Sequence, residues 1–167
     1  MATTYTLIGS NTLTAEANYF TFSSIPQTYS DLVLMVGGSN TANDYGGFFI
    51  RFNGTDYSST MTGRRIRYSG SGAQTDNSKE ASWPLLQYST TSAKSFAEYY
   101  IPNYSTSGTP KSANFYGGSP NQTYALYNNV WWSGTNAITT IDVGIFDAAS
   151  NKFTIGSSAY LYGISNT

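Results

Sequence analysis

The chain of 167 residues has no cysteine and no histidine, and these two absences exclude several kinds of chemistry. Without cysteine there is no disulfide framework, thiolate zinc site or iron–sulfur cluster. Without histidine there is no Ser-His-Asp or Cys-His catalysis and no imidazole metal ligand. We therefore expect no cofactor and no metal, although catalysis by carboxylate, lysine or tyrosine and oxygen-ligated calcium stay open.

Charge and long apolar runs are also scarce. Eight basic and nine acidic residues make up 10% of the chain, against about 25% in ordinary soluble domains. A formal net charge of −1 argues against bulk binding to nucleic acid or to an anionic membrane. The apolar runs are far shorter than a membrane span, and the first residues show no signal peptide. We expect no nucleic-acid partner and no membrane insertion.

What the chain has in abundance is hydroxyl and aromatic side chains. There are 23 Ser, 22 Thr and 14 Asn residues, and 15 of the 27 aromatic residues are Tyr. Disordered chains carry few aromatics and a high net charge, which is the reverse of this composition. The length fits one folded domain, so residues 1–167 are predicted to form a single domain.

Short segments rich in aromatic and β-branched residues alternate with turn residues along the chain. They predict an all-β fold of about ten short antiparallel strands, either a sandwich or a barrel. Residues 69–80 predict a long polar loop, and the best helical candidate is a short turn at 80–87. The candidate strands are residues 5–8, 17–22, 31–36, 48–52, 64–68, 94–101, 111–116, 123–131, 137–146, 153–156 and 158–164.

Three of the eight cations lie within four residues, as Arg64, Arg65 and Arg67. On a strand, Arg65 and Arg67 share one face, and Arg64 lies on the other with Ile66 and Tyr68. Two interpretations stand. The arginines contact an anionic partner, such as an acidic glycan or a neighbouring subunit, or their charge protects an edge strand from unwanted pairing.

The adjacent residues Trp131 and Trp132 point to opposite faces if they lie on a strand. One indole is then expected in the core and the other at the surface. An exposed indole beside tyrosines can stack on a sugar ring or anchor a protein contact. Together with Tyr99 and Tyr127, the two tryptophans and the three arginines are our candidate contact or glycan-binding residues.

The carboxylates are scattered along the chain and form no local motif. A glycosidase needs two of them across the scissile bond, and a pair such as Glu98 with Asp142 has no support beyond residue type. We predict that the protein is not an enzyme. Asn40, Asn43 and Asp44 can either offer oxygen ligands to calcium or form an ordinary turn.

Several segments together resemble small structural proteins of the virion, and modules of tail fibres, from tailed phages and especially from marine and cyanobacterial ones. Residues 22–34 are the most specific segment, and the likeness spans nearly the whole chain apart from residues 60–95 and the tryptophan pair. The segments are 10–14 (Ser-Asn-Thr-Leu-Thr), 22–34 (Phe-Ser-Ser-Ile-Pro-Gln-Thr-Tyr-Ser-Asp-Leu-Val-Leu), 50–54 (Ile-Arg-Phe-Asn-Gly), 100–104 (Tyr-Ile-Pro-Asn-Tyr) and 161–164 (Leu-Tyr-Gly-Ile).

This resemblance implies a β-sandwich of jelly-roll or lectin-like type and a structural, non-enzymatic role. The protein would be a head decoration or knob, or a tail accessory or fibre module. It would be made in the host cytoplasm, displayed on the virion surface and extracellular after release. Its partners would be other virion proteins of the capsid or tail, and a homo-oligomer such as a trimer is compatible with the resemblance.

The chain has no heptad or collagen-like repeat, so we expect a globular module that must dock onto another component. The alternative function is a carbohydrate-binding, lectin-like adhesion module that recognises host surface glycans. That module can sit on the same virion, so the two functions are compatible.

Overall fold

The computed structural model describes residues 4–41, 47–55, 60–69, 72–76, 94–119, 124–145 and 151–165. Eleven strands lie in these ranges, and every pairing between them is antiparallel. The strands are β1 (Thr4–Thr12), β2 (Tyr19–Phe22), β3 (Asp31–Gly38), β4 (Phe48–Phe52), β5 (Met61–Ser69), β6 (Gly72–Asp76), β7 (Ser95–Pro102), β8 (Lys111–Ser119), β9 (Tyr124–Trp132), β10 (Ile141–Ile145) and β11 (Ser158–Ser165).

The strands form two sheets of unequal size. The larger sheet has eight strands in the order β1-β11-β3-β7-β8-β9-β5-β6, and the smaller has three in the order β2-β10-β4. Neighbours in these sheets are mostly distant in sequence, so long-range pairing dominates the fold. The all-β antiparallel fold predicted from the alternating segments is confirmed.

One hydrophobic core joins the two sheets. In β3 the residues that point into this core are Leu32, Leu34 and Val36, while Asp31 and Val33 on its other face are buried as well. Side chains of the small sheet enter the same core, and the ring of Phe52 in β4 meets that of Trp132 in β9 with centroids 5.6 Å apart. The two sheets therefore pack face to face as a β-sandwich.

The local expectations fail in two places. The predicted loop at 69–80 contains β6, which pairs with β5 at the sheet edge through backbone bonds and so needs no apolar alternation. The strand expected at 153–156 is instead an isolated bridge at Phe153 followed by a turn, in which Gly156 has a φ of 81°. The helical turn expected at 80–87 lies outside the described residues.

Two of the segments that carry the family resemblance, 22–34 and 100–104, contact each other in the fold. The half-exposed Tyr100 hydroxyl donates a 2.8 Å hydrogen bond to the buried carboxylate of Asp31. The same carboxylate accepts a 2.9 Å bond from the backbone amide of Asn103. The hydroxyl of Tyr104 donates to the carbonyl of Pro26. These residues hold the connections of the large sheet in place, so their roles are structural.

Candidate binding face on the large sheet

The face of the large sheet that points away from the core is rich in exposed aromatic side chains. Alternation along each strand sends one set of residues inward and the other outward. In the described ranges, every large apolar or aromatic side chain that is exposed lies on this outward face, except Ile155 in a turn. The set on the face is Tyr5, Leu7, Ile66, Phe96, Tyr116, Tyr127, Trp131 and Tyr160.

The densest part of this face is the ladder between β8 and β9. Tyr116 is the cross-strand partner of Tyr127, and Asn114 is the partner of Asn129. Trp131 follows on β9, so aromatic rings lie on both sides of the asparagine pair. We call these five residues the amide–aromatic patch. Tyr127 and Trp131 are four residues apart on one strand, which places their Cα atoms roughly 13 Å apart.

A hydrogen-bond network orders the centre of the patch. The side-chain amide of Asn129 donates a 2.8 Å bond to Oδ1 of Asn114. The hydroxyl of Tyr127 approaches the same oxygen at 3.4 Å. Among the described residues, Nδ2 of Asn114 and Oδ1 of Asn129 have no bonded partner. The patch therefore presents one amide donor and one amide acceptor to solvent, held in place by the ladder.

Two charged residues flank the patch on opposite sides. Arg64 in β5 is exposed and is the cross-strand partner of Asn129. Glu98 in β7 is the partner of Tyr116 and accepts a hydrogen bond from its hydroxyl. That bond, together with partial burial, raises the pKa of the Tyr116 hydroxyl and keeps it a donor. The two formal charges balance across the patch.

Three of the candidate contact residues lie on the outward face, as a group. Trp131 and Tyr127 are 47% and 50% exposed, and both belong to the patch. Arg64 lies beside them on the neighbouring strand. The expectation that one tryptophan is at the surface and the other in the core is met by Trp131 and Trp132.

Two other candidates need correction, because their side chains are buried. Trp132 and Tyr99 alternate inward on β9 and β7 and belong to the core. The indole of Trp132 donates a 3.2 Å hydrogen bond to Oγ1 of Thr55, and the ring of Tyr99 lies 4.8 Å from that of Phe115. Neither ring is available to stack on a ligand.

The other two candidate arginines, Arg65 and Arg67, are not part of this group. Arg65 and Arg67 are the cross-strand partners of Asn128 and Leu126 in the backbone register of β5 with β9. Their backbone is described as part of β5, and their side chains lie outside what the structure describes.

The carboxylate pair named from the sequence, Glu98 with Asp142, is separated in the structure. Glu98 lies on the outward face of the large sheet, whereas Asp142 lies on the far side of the small sheet, with the core between them. A glycosidase pair from these two residues is therefore excluded. Asn40 is buried in the fold, and Asn43 and Asp44 lie outside the described residues. No cluster of three acidic residues occurs within the ranges the structure describes.

The far side of the small sheet carries a second polar cluster, which is structural. Nε of Arg51 contacts Oδ2 of Asp142 at 2.8 Å. Oγ1 of Thr21 donates a 2.7 Å hydrogen bond to the other carboxylate oxygen. The guanidinium of Arg51 also lies over the ring of Tyr19, 4.9 Å from its centroid. This cluster links the three strands of the small sheet.

Comparison with known proteins adds a likeness of fold only. No protein-family model matches the chain, and no curated protein matches it. Among solved structures, the chain is similar to the marine PL-14 alginate lyase from Aplysia kurodai, with 9% identity and a TM-score of 0.40. The alignment covers 86% of this chain and 72% of the lyase chain. No helix in the described ranges is long and apolar enough to cross a membrane.

Proposed function

We propose that the protein is a non-enzymatic structural module displayed on the virion of a tailed phage. It docks onto capsid or tail as a head decoration, knob, or tail accessory or fibre module, and its outward face contributes to host attachment. The observation that carries this proposal is the exposed amide–aromatic patch on a rigid eight-stranded sheet. Exposed aromatic side chains grouped on one face mark an interaction site.

Two further features support this role. Two of the segments that resemble phage virion proteins, 22–34 and 100–104, are joined within the large sheet by the bonds from Tyr100 and Asn103 to Asp31. A core without thiols also suits a protein that works outside the cell, because nothing in it depends on a reducing compartment.

The test is the protein composition of purified particles from the phage that encodes the chain. We expect peptides of this protein at a fixed ratio to the major capsid or tail protein, unchanged by salt washes that remove loosely bound material. Absence from particles, in a lysate that contains the free protein, would contradict the proposal.

A second candidate function is a lectin-like adhesion module that binds host surface glycans. It is favoured by the amide donor of Asn114 and the amide acceptor of Asn129, which have no bonded partner among the described residues and lie between exposed aromatic rings. Sugars offer hydroxyl groups and flat C–H faces that match both features. A glycan array probed with the recombinant protein tests it, and a blank array at high protein concentration would count against it.

A further inference from the structure

We infer that the amide–aromatic patch is a binding site for a short stretch of an uncharged glycan chain, which lies along the β8–β9 ladder. This inference deepens the glycan-binding candidate above and rests on it. It specifies the face, the residues that touch the ligand, and the charge and minimum length of the ligand. It goes beyond the virion role, which concerns where the module is attached.

The aromatic rings determine the length of ligand that fits. Tyr127 and Trp131 are each about half exposed, so each offers a ring surface for the C–H face of a pyranose. Their Cα atoms are roughly 13 Å apart along β9, a span that a single monosaccharide cannot bridge. A ligand that uses both rings is therefore an oligosaccharide whose chain runs parallel to the strands.

The asparagine pair lies between these two rings and determines which ligand chemistry fits. Nδ2 of Asn114 can donate and Oδ1 of Asn129 can accept, and the bond between the two amides fixes their positions. A pair of neighbouring hydroxyl groups satisfies both at once, because a hydroxyl both donates and accepts. An apolar protein surface that excludes water from the patch would instead bury both amide groups without hydrogen-bond partners, which is unfavourable. Hydroxyl-rich ligands are favoured over a second protein surface.

The charges at the patch favour a neutral ligand. Arg64 and Glu98 flank it on opposite sides, so no single sign dominates. A uronate or sulfate along the ladder would gain an interaction with Arg64 and meet repulsion near Glu98. We expect an uncharged polysaccharide to bind better than an acidic one with a similar backbone.

The experiment is affinity electrophoresis of the whole protein in native gels that contain one soluble polysaccharide. The probes are hydroxyethyl cellulose, galactomannan, dextran and, as the acidic comparison, alginate. We expect retardation by at least one of the three neutral polymers and weaker retardation by alginate. The monosaccharides that build the retarding polymer should compete at least tenfold less well than its short oligosaccharides.

Matched variants test whether the binding site lies on the β8–β9 ladder. Trp131→Ala and Asn114→Ala should each lower the apparent affinity for the retarding polymer at least tenfold. Tyr5→Ala and Tyr160→Ala remove exposed rings from the same face, on β1 and β11, and should change affinity less than twofold. Thermal melting of each variant confirms that the fold is intact.

The outcomes separate the two proposals. If the neutral polymers bind but only Tyr5→Ala and Tyr160→Ala weaken them, the site is elsewhere on the face, and this inference is overturned while glycan binding stands. Stronger binding of alginate overturns the assignment of an uncharged ligand. If none of the four polymers retards the protein, both the site and the glycan-binding candidate fall. The virion role is judged separately by the composition of particles.

Discussion

Asn114 and Asn129 face each other across β8 and β9, and the amide of Asn129 donates a 2.8 Å hydrogen bond to the side-chain oxygen of Asn114. Both side chains lie on the outward face, between the exposed rings of Tyr116 and Tyr127 on one side and Trp131 on the other. The pair therefore contributes little to the core. Its ordered amides are available for a ligand.

The variant Asn114→Asp should weaken ligand binding without destabilising the fold. The carboxylate can still accept the bond from Asn129, but the Nδ2 donor is lost. The free energy of unfolding should change by less than about 0.5 kcal/mol, since the site is on the surface. Affinity for a neutral polymer that retards the wild-type protein should fall at least fivefold. Urea denaturation and affinity electrophoresis measure the two quantities, and a large loss of stability with unchanged binding would contradict the assignment.

Asp142→Ala tests the structural role of the second polar cluster. The carboxylate is buried and binds both Arg51 and Thr21, so its removal leaves the guanidinium without its ion-pair partner. We expect a loss of roughly 1–3 kcal/mol in the free energy of unfolding, because Asp142 is buried whereas the Arg51 side chain is 29% exposed. The paired change of Asp142→Ala with Arg51→Leu should recover part of that loss. A loss below about 1 kcal/mol for the single variant would show that the pair is only a surface contact.

Two strand glycines should respond in opposite ways to alanine. A Cβ at Gly163 would lie 2.3 Å from the ring of Tyr29, whereas a Cβ at Gly37 would meet nothing within 4 Å. Gly163→Ala should therefore cost about 1–3 kcal/mol through overpacking. Gly37→Ala should be neutral or slightly stabilising, because alanine loses less backbone entropy on folding. Equal melting temperatures for the two variants would contradict the close packing of Tyr29 on β11.

The buried Tyr99 should make the fold less stable at alkaline pH. Complete burial raises the pKa of its hydroxyl above the ordinary value of 10.0, so above pH 10 the folded state keeps a proton that the unfolded state releases. The free energy of unfolding is therefore unaffected by this group below pH 10. Above pH 10 it declines by about 1.4 kcal/mol per pH unit. Burial lowers the pKa of the Lys111 amine, and that group acts in the opposite direction.

Tyr99→Phe isolates the tyrosine contribution, because the other groups are common to both proteins. The difference in unfolding free energy between variant and wild type should grow in favour of the variant above pH 10. At pH 7 the variant should be as stable as wild type or more stable by about 1 kcal/mol, since the buried hydroxyl has no hydrogen-bond partner among the described residues. Parallel pH profiles for the two proteins would contradict this account.

Alternation in the sequence was enough to predict the all-β fold and the opposite environments of Trp131 and Trp132. It also predicted that Arg64 and Ile66 share one face of β5, and both are exposed on the outward face. These features depend only on the period of two along a strand. Polar β6 was missed for the same reason, because it lacks an alternating apolar pattern and is recognised only through its pairing with β5.

The patch could not be found from the sequence, because it depends on which strands are neighbours. Asn114 and Tyr116 are ordinary residues of β8, and only the pairing of β8 with β9 brings them beside Asn129 and Tyr127. Tyr99 was a candidate because of its residue type, but its position in β7 turns it toward the core. Register is determined by the whole fold rather than by local pattern.

The most direct test of the central proposal is a cryo-electron-microscopy map of the intact phage particle that, on this proposal, carries the protein. The proposal predicts density for the β-sandwich, attached to capsid or tail, with the β8–β9 face directed outward to solvent. A map in which this density is absent, or in which the patch is buried against the particle, would contradict the proposal that this face is displayed for attachment.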